Sequence, residues 1–211
     1  MTRRSTETAG SITEGLPASK YVAAIHAAAI KEFARNGYHG TSMRDLATHV
    51  GVHAGSLYVH IKNKEELLYQ LVSANALRAD RRMLEILASD LTPPDKLRLI
   101  TREHVKWIRD NQESATVYFY EWRHLQGEHR IEVTTLRNRW NHSLQEIIQA
   151  SVDEGYFHSL NTQLAGIAFV GILNSTFGWF RDGSQFDDVE VADQFTNYLF
   201  HGWASHDKSP I

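Results

Sequence analysis

Residues 27–68 read AAAIKEFARNGYHGTSMRDLATHVGVHAGSLYVHIKNKEELL, and the punctuation of this stretch decides how the front of the chain folds. Leading into it, Val22, Ile25, Ala29 and Phe33 recur at helical spacing and give one apolar face. Gly37 ends that helix, with Tyr38 packing beneath it. Ser42 and Asp45 have the spacing of a reciprocal N-terminal cap, with Asp in place of the usual Glu. Leu46 and Val50 then form a short apolar ridge, and Gly51 supplies a sharp break, since only glycine takes a positive φ at little cost. A third short helix fits residues 53–61. Its Leu57 and Ile61 lie four apart and face inward, which leaves Ser56, Tyr58 and His60 on or near the outward side. The pattern Asn63-Lys-Glu-Glu66 is a second capping box, opening a long helix to about residue 88.

A longer helix followed by two short ones about a glycine turn describes a helix-turn-helix. The second short helix of such a unit can enter the major groove of DNA, which is wide enough to admit it. Thr41 and Ser42 sit at a helix N-terminus, where free N–H groups and the helix dipole favour phosphate. Lys64 stands at the next helix N-terminus, where a cation opposes the dipole and a phosphate partner would offset that cost.

The same run closely resembles the signature of the TetR family of transcriptional regulators. The resemblance rests on Phe33-Ala34, Gly37-Tyr38, Gly40-Thr41-Ser42-Met43, Asp45-Leu46-Ala47, Val50-Gly51-Val52, Gly55-Ser56-Leu57-Tyr58 and Lys64-Glu65-Glu66-Leu67. It implies a DNA-binding homodimer with no catalytic residues, metal or cofactor, located in the cytoplasm. It further implies that Thr41 and Ser42 hold phosphate and that Arg44 reaches a base or phosphate. Ser56 and His60 would face base edges, Tyr58 the DNA backbone, and Lys64 a phosphate; Tyr58 turned into the core and Lys64 merely solvated are the competing readings. Three departures stand out. His53 occupies the cap position where the family has Ser or Thr, Ala54 stands where Lys is common, and Ile61 replaces a frequent Phe. With fewer cations on the reading face, a shallow salt dependence of binding is expected.

Downstream, the chain stays helical and shows no convincing strand. Thr92-Pro93-Pro94 starts a helix carrying Leu97, Ile100, His104, Trp107 and Ile108, and Asn111 starts another with Ala115, Tyr118, Phe119, Trp122 and Leu125. A long helix runs from about 128 to 153, one apolar on almost every side from 161 to 180, and Asp187 opens the last. The fold class is all-α, with nine helices. The expected division is a flexible arm over 1–17, a helix-turn-helix domain over 18–64 and a ligand-binding and dimerisation domain over 65–211. Trp107, Tyr118, Trp122, Arg123, Arg137, Trp140, Asn174 and Phe177 are candidate pocket residues, with core and solvated face as the competing reading. Leu164, Ile167 and Gly171, with Phe195, Leu199 and Trp203 of the last helix, are candidates for an isologous dimer face in which Gly166 and Gly171 permit close approach. The family resemblance likewise favours dimerisation through the last two helices.

The stretches Glu121–Leu125, Arg137–Trp140 and Leu173–Gly183 resemble the acyl-CoA-responsive branch of the family, in which basic residues such as Arg123, Arg137 and Arg139 would meet the CoA phosphates. The effector is therefore either an acyl-CoA thioester or an apolar, aromatic or drug-like compound. Filling the core with it would switch the packing and use the long helix beginning at Lys64 as a lever on the head.

Bulk composition supports this division. Formal net charge is −3, yet residues 1–78 hold nine Lys/Arg against six Asp/Glu while the remainder holds thirteen against nineteen. No apolar run reaches the ~18 residues of a bilayer span. Cysteine is absent, which excludes a disulfide framework. Twelve histidines invite a metal or general-base reading, but there is no HExxH, no GxSxG and no glycine-rich phosphate loop. His49 and His53 straddle Gly51 and share no helix face. With His53 and His60 on the expected DNA side, operator binding should be tighter at pH 6 than at pH 8 in a fluorescence-anisotropy titration at fixed salt. Equal affinity at the two pH values would remove histidine charge from the interface.

Overall fold

The computed structural model describes residues 18–202 except residue 182. The expected arm over 1–17 and Trp203 lie outside the described residues. Within them the chain forms nine α-helices and no strand: α1 (Ala18–Gly40), α2 (Met43–Val50), α3 (Ala54–Tyr58), α4 (Lys64–Leu87), α5 (Pro93–Asp110), α6 (Gln112–Tyr120), α7 (Gly127–Asp153), α8 (Thr162–Ser175) and α9 (Asp188–His201). Short 3-10 turns follow α6 (Glu121–His124) and α8 (Thr176–Gly178). The apolar helix expected to run to Phe180 thus changes to 3-10 geometry after Ser175.

The local signals act as expected at most helix ends. Gly37 breaks the regular course of α1 with φ 74°. Ser42 Oγ accepts from Asp45 N while Ser42 N donates to Asp45 Oδ2 at 2.8 Å, a complete capping box. Gly51 sits in the left-handed region at φ 79°, where its N–H closes onto α2. Asn63, Thr92, Asn161 and Asp187 each cap the helix that follows. His53 precedes α3 without any side-chain capping bond, and α3 is only five residues long.

Two hydrophobic cores result. The first joins Ile25, Ala29 and Phe33 of α1 to Leu46, Leu57 and Ile61, and continues past residue 64 into Leu67, Leu68, Val72, Val117, Leu125 and Val133. Head and body therefore share packing at their junction. The second gathers Ile100, Val105, Leu144, Ile147, Phe169, Leu173 and Phe180 among α5, α7 and α8, with Val191 and Ala192 of α9. Leu84 of α4 points outward.

The expected dimer face divides. Leu164 and Ile167 are 64% and 62% exposed, and Gly171 continues the same outward line on α8. Phe195 and Leu199 instead pack partly against their own second core, and Phe195 meets the Trp179 ring at 6.4 Å. Helical geometry turns them toward α5, against which α9 lies. Gly166 is also spent within the chain, since a Cβ there would meet Gln145 Cγ at 3.2 Å.

Between α5 and α8, His104 Nε2 lies 3.0 Å from Asn174 Oδ1. Burial pushes the His104 imidazole down to about 4, and the bond to Asn174 only partly opposes this. The unfolded chain gains this proton near pH 6.5, whereas the folded chain resists it until about pH 4. Stability is thus complete above pH 6.5 and falls as the pH drops toward 4, by up to about 3 kcal/mol. Urea denaturation between pH 7 and 4 should show a decline that His104→Gln diminishes; an unchanged slope would mean that His104 is not held neutral.

Candidate DNA-reading head and effector cleft

The head presents a continuous outward surface. Ser42 and Arg44 at the start of α2, and His53, Ser56 and His60 on or beside α3, are all exposed. Tyr58 is 53% exposed, so it is not turned into the core, whereas Leu57 and Ile61 are buried beneath it. His60 rests near the Tyr21 ring, centroids 4.8 Å apart. The surface also includes Val59, 78% exposed at the end of α3, which sequence periodicity passed over. An aliphatic group there suits contact with a thymine methyl. Its cue in the sequence was a β-branched residue next to two polar outward positions.

Two of the expected phosphate contacts have other duties. Thr41 is 2% exposed, and its hydroxyl donates to Gly37 O at 3.0 Å and Glu32 O at 3.2 Å, closing the break in α1. Lys64 Nζ donates to Tyr38 O and Thr41 O, each at 2.8 Å, and lies 4.3 Å from the Tyr38 ring centroid. Burial pushes its ammonium below the ordinary lysine value. Lys64 is therefore a staple within the head: the Tyr38 and Thr41 carbonyls past the break in α1 offer an ammonium stronger partners than a dipole can deny it. His49 is similarly occupied, its Nδ1 3.0 Å from Glu32 Oε1.

The head is tied to the body at the same place. Tyr38 N donates to Glu121 Oε2 at 2.8 Å, and His39 Nε2 lies 3.1 Å from His124 Nδ1. The Tyr38 and His124 rings stack with centroids 5.4 Å apart. Burial, with His39 adding to it, holds the His124 imidazole below its usual value despite Glu121.

Glu121 and His124 follow directly on α6, and α6 forms one wall of a cleft. This cleft, about 130 Å³, is enclosed by α4, α5, α6, α7 and α8. Trp107, Tyr118, Arg137, Trp140 and Asn174 of the expected pocket line it. So does Phe119 of the same aromatic-rich stretch, along with Arg78 and His104, which carry no pocket signal in the sequence. Arg78 Cζ lies 4.9 Å from the Trp107 ring centroid, and Arg137 Cζ 5.0 Å from that of Tyr118. A second compartment of about 100 Å³ adjoins it through Arg78, Ala79, His104, Trp107 and Trp140.

Three expected pocket residues stand outside the lining. Trp122 packs on the first core under the guanidinium of Arg137. Arg123 is exposed and donates to Tyr120 O. Phe177 backs the wall, its ring against those of Phe119 and Tyr120. Arg139, considered for CoA phosphates, is engaged by Asp80 through two hydrogen bonds. Trp122 and Arg123 lie in the turn after α6, Phe177 in the turn after α8 and Arg139 on α7, and each meets a partner outside the lining.

A helix-turn-helix head packed onto a helical body with an aromatic, arginine-bearing cleft defines the class of helix-turn-helix transcriptional regulators. The chain belongs to the TetR family. Residues 25–71 match the family model of bacterial regulatory proteins, tetR family, and residues 90–203 that of the tetracyclin repressor-like C-terminal domain. The chain is 26% identical over 185 residues to the fatty acid metabolism regulator protein of Bacillus subtilis (strain 168), covering 87% of this chain and 95% of that protein. It is 25% identical over 175 residues to the HTH-type transcriptional repressor KstR2 of Rhodococcus jostii (strain RHA1), covering 82% and 86% of the two. Among solved structures, FadR from Bacillus subtilis in complex with stearoyl-CoA superposes with a TM-score of 0.70 at 25% identity, covering 86% of this chain and 99% of that one.

The two cations predict separable phenotypes. Arg44→Gln should reduce the slope of log operator affinity against log salt by about one. Lys64→Met should leave that slope unchanged but lower the melting temperature, because the Tyr38 and Thr41 carbonyls lose their charge-assisted donor. A slope change in Lys64→Met with unaltered melting would return Lys64 to the phosphate contacts.

Proposed function

We propose that the chain is a ligand-responsive transcriptional repressor that binds operator DNA as a two-fold dimer and releases it when a small effector fills the cleft. The observation that carries this reading is the continuity between cleft and head. Tyr118 and Phe119 line the cleft, and Glu121, only two residues further on, holds the backbone of Tyr38. The second route is α4: Asn75 and Arg78 line the cleft, while Lys64, roughly 21 Å away along the same helix, holds Tyr38 and Thr41. Both routes end at Tyr38. An effector that separates α4 from α6 would pull on one residue from two sides and so tilt the head.

The DNA contacts in this reading are Ser42, Arg44, His53, Ser56, Tyr58, Val59 and His60. The outward line Leu164, Ile167 and Gly171 on α8 meets its symmetry mate, which sets two α3 helices at the spacing of operator half-sites. Acyl-CoA compounds are the first effector class to examine, because the similar FadR structure holds stearoyl-CoA. Single-ring aromatic compounds are the second, because Trp107, Tyr118, Phe119 and Trp140 surround the cleft.

The test uses anisotropy with the gene's own upstream DNA. The parent should bind it, and a saturating effector should weaken binding at least tenfold, about 1.4 kcal/mol of coupling. Glu121→Ala should cut that effect to about twofold while the effector still binds, since the Tyr38 link is lost. Failure of the parent to bind upstream DNA at low salt would sink the repressor reading, and full release in Glu121→Ala would sink the route through Tyr38.

A further inference from the structure

The lining of the 130 Å³ compartment has an uneven charge. It includes two guanidiniums, Arg78 and Arg137, and no carboxylate. Arg78 opens toward solvent at the mouth with its guanidinium over Trp107, and Arg137 lies over Tyr118. The Tyr118 hydroxyl interacts with both. Neither arginine has an ion-pair partner among the described residues. The nearby carboxylates are already engaged: Arg82 Nε donates to both oxygens of Glu103 at 3.0 and 2.8 Å, and Arg139 grips Asp80. Glu103 acts on Arg78 only at a distance, from the adjoining compartment. Arg137 spends one N–H on the Tyr118 hydroxyl, and the two stacked cations have no carboxylate partner for their other donors among the described residues.

The remaining polar groups of the lining are uncharged. If Asn174 Oδ1 accepts from His104 Nε2–H, the amide Nδ2 remains to donate into the cleft. Trp107, Phe119, Trp140 and Val170 give the compartment apolar walls. Size adds a second constraint: an enclosed apolar cavity of about 150 Å³ takes a single benzene. A compartment of about 130 Å³ therefore matches one ring or a short branched chain in volume.

We propose that this cleft binds a compact organic anion, with its acid group held between Arg78 and Arg137 beside Tyr118 and its body of about one aromatic ring, or a short branched chain, against Trp107, Phe119 and Trp140. This rests on the ligand-sensing reading above and narrows it. The anion is the carboxylate of a free acid, which a guanidinium fork grips through paired N–H donors; in a CoA thioester the pantetheine arm sets the phosphates beyond the reach of an acyl group seated in so small a compartment.

Trp107 and Trp140 in the wall make intrinsic fluorescence a direct measure of occupancy. The probes are phenylacetate, its uncharged analogue phenylacetamide, phenylacetyl-CoA and stearoyl-CoA, titrated into the full chain. Loss of a charged hydrogen-bond partner predicts about tenfold weaker binding of phenylacetamide than of phenylacetate, and a similar loss of phenylacetate affinity in Arg78→Gln and in Arg137→Gln. Arg137→Lys, which keeps the charge, should retain more affinity than Arg137→Gln, and melting curves establish that each variant folds. Arginine-dependent binding of phenylacetate supports the proposal with a free acid as the source. Binding of phenylacetyl-CoA without binding of phenylacetate overturns it, because the thioester carries no acid group beside the ring. Equal affinity for phenylacetate and phenylacetamide, tightest binding of stearoyl-CoA, indifference to both substitutions, or no binding of any probe overturns it. Because fluorescence reads occupancy and not operator release, arginine-dependent binding without release would count against the repressor coupling alone.

Discussion

The ammonium of Lys64 set against the broken end of α1 is the contact on which the molecule depends. Gly37 interrupts that helix. Lys64 donates to the Tyr38 and Thr41 carbonyls past the break and covers the Tyr38 ring, while Thr41 seals the break from the other side. Charge-assisted bonds of this kind are about twice as strong as neutral ones and confer direction. They fix the angle at which α2 leaves α1, and that angle in turn fixes where α3 points. The reading surface is thus aimed by a cation that does not itself belong to it.

The same residues form the seam between head and body. Tyr38 is held by Lys64 from the start of α4 and by Glu121 from the turn after α6, with His124 stacked on its ring. The first hydrophobic core runs through this seam without interruption. A packed junction of this sort does not deform smoothly; it changes by moving between arrangements. The helices that meet there are also the ones that wall the cleft, so a change in their separation has one place to act.

Two guanidiniums stacked on aromatic rings, apolar walls and a neutral imidazole–amide pair face one small volume within the cleft. The neighbouring acids are neutralised by other arginines, which keeps the mouth positive in a chain whose net charge is negative. The reading head is sparing with cations in contrast: Arg44 is exposed on α2, while α3 presents Ser56, Tyr58 and no lysine or arginine.

Local chemistry was legible in the residues alone. The caps at Ser42, Asn63, Thr92 and Asp187, the turn at Gly51, the inward Leu57 and Ile61 and the all-helical class follow from rules that span four residues or fewer, and one segment is enough to apply them. The aromatic and arginine content of the middle helices likewise pointed to a cleft, and Trp107, Tyr118, Arg137, Trp140 and Asn174 do line it. Tertiary structure alone decided what each long side chain meets. Lys64 and Thr41 turned from DNA to helix ends, Arg139 to Asp80, and Phe195 to its own core, because the partner in each case is supplied by another part of the backbone. Arg78 and His104 entered the cleft on the same ground: their helices carry no local mark of it, and only the packing of α4 and α5 against α6, α7 and α8 brings five separate segments around one small volume.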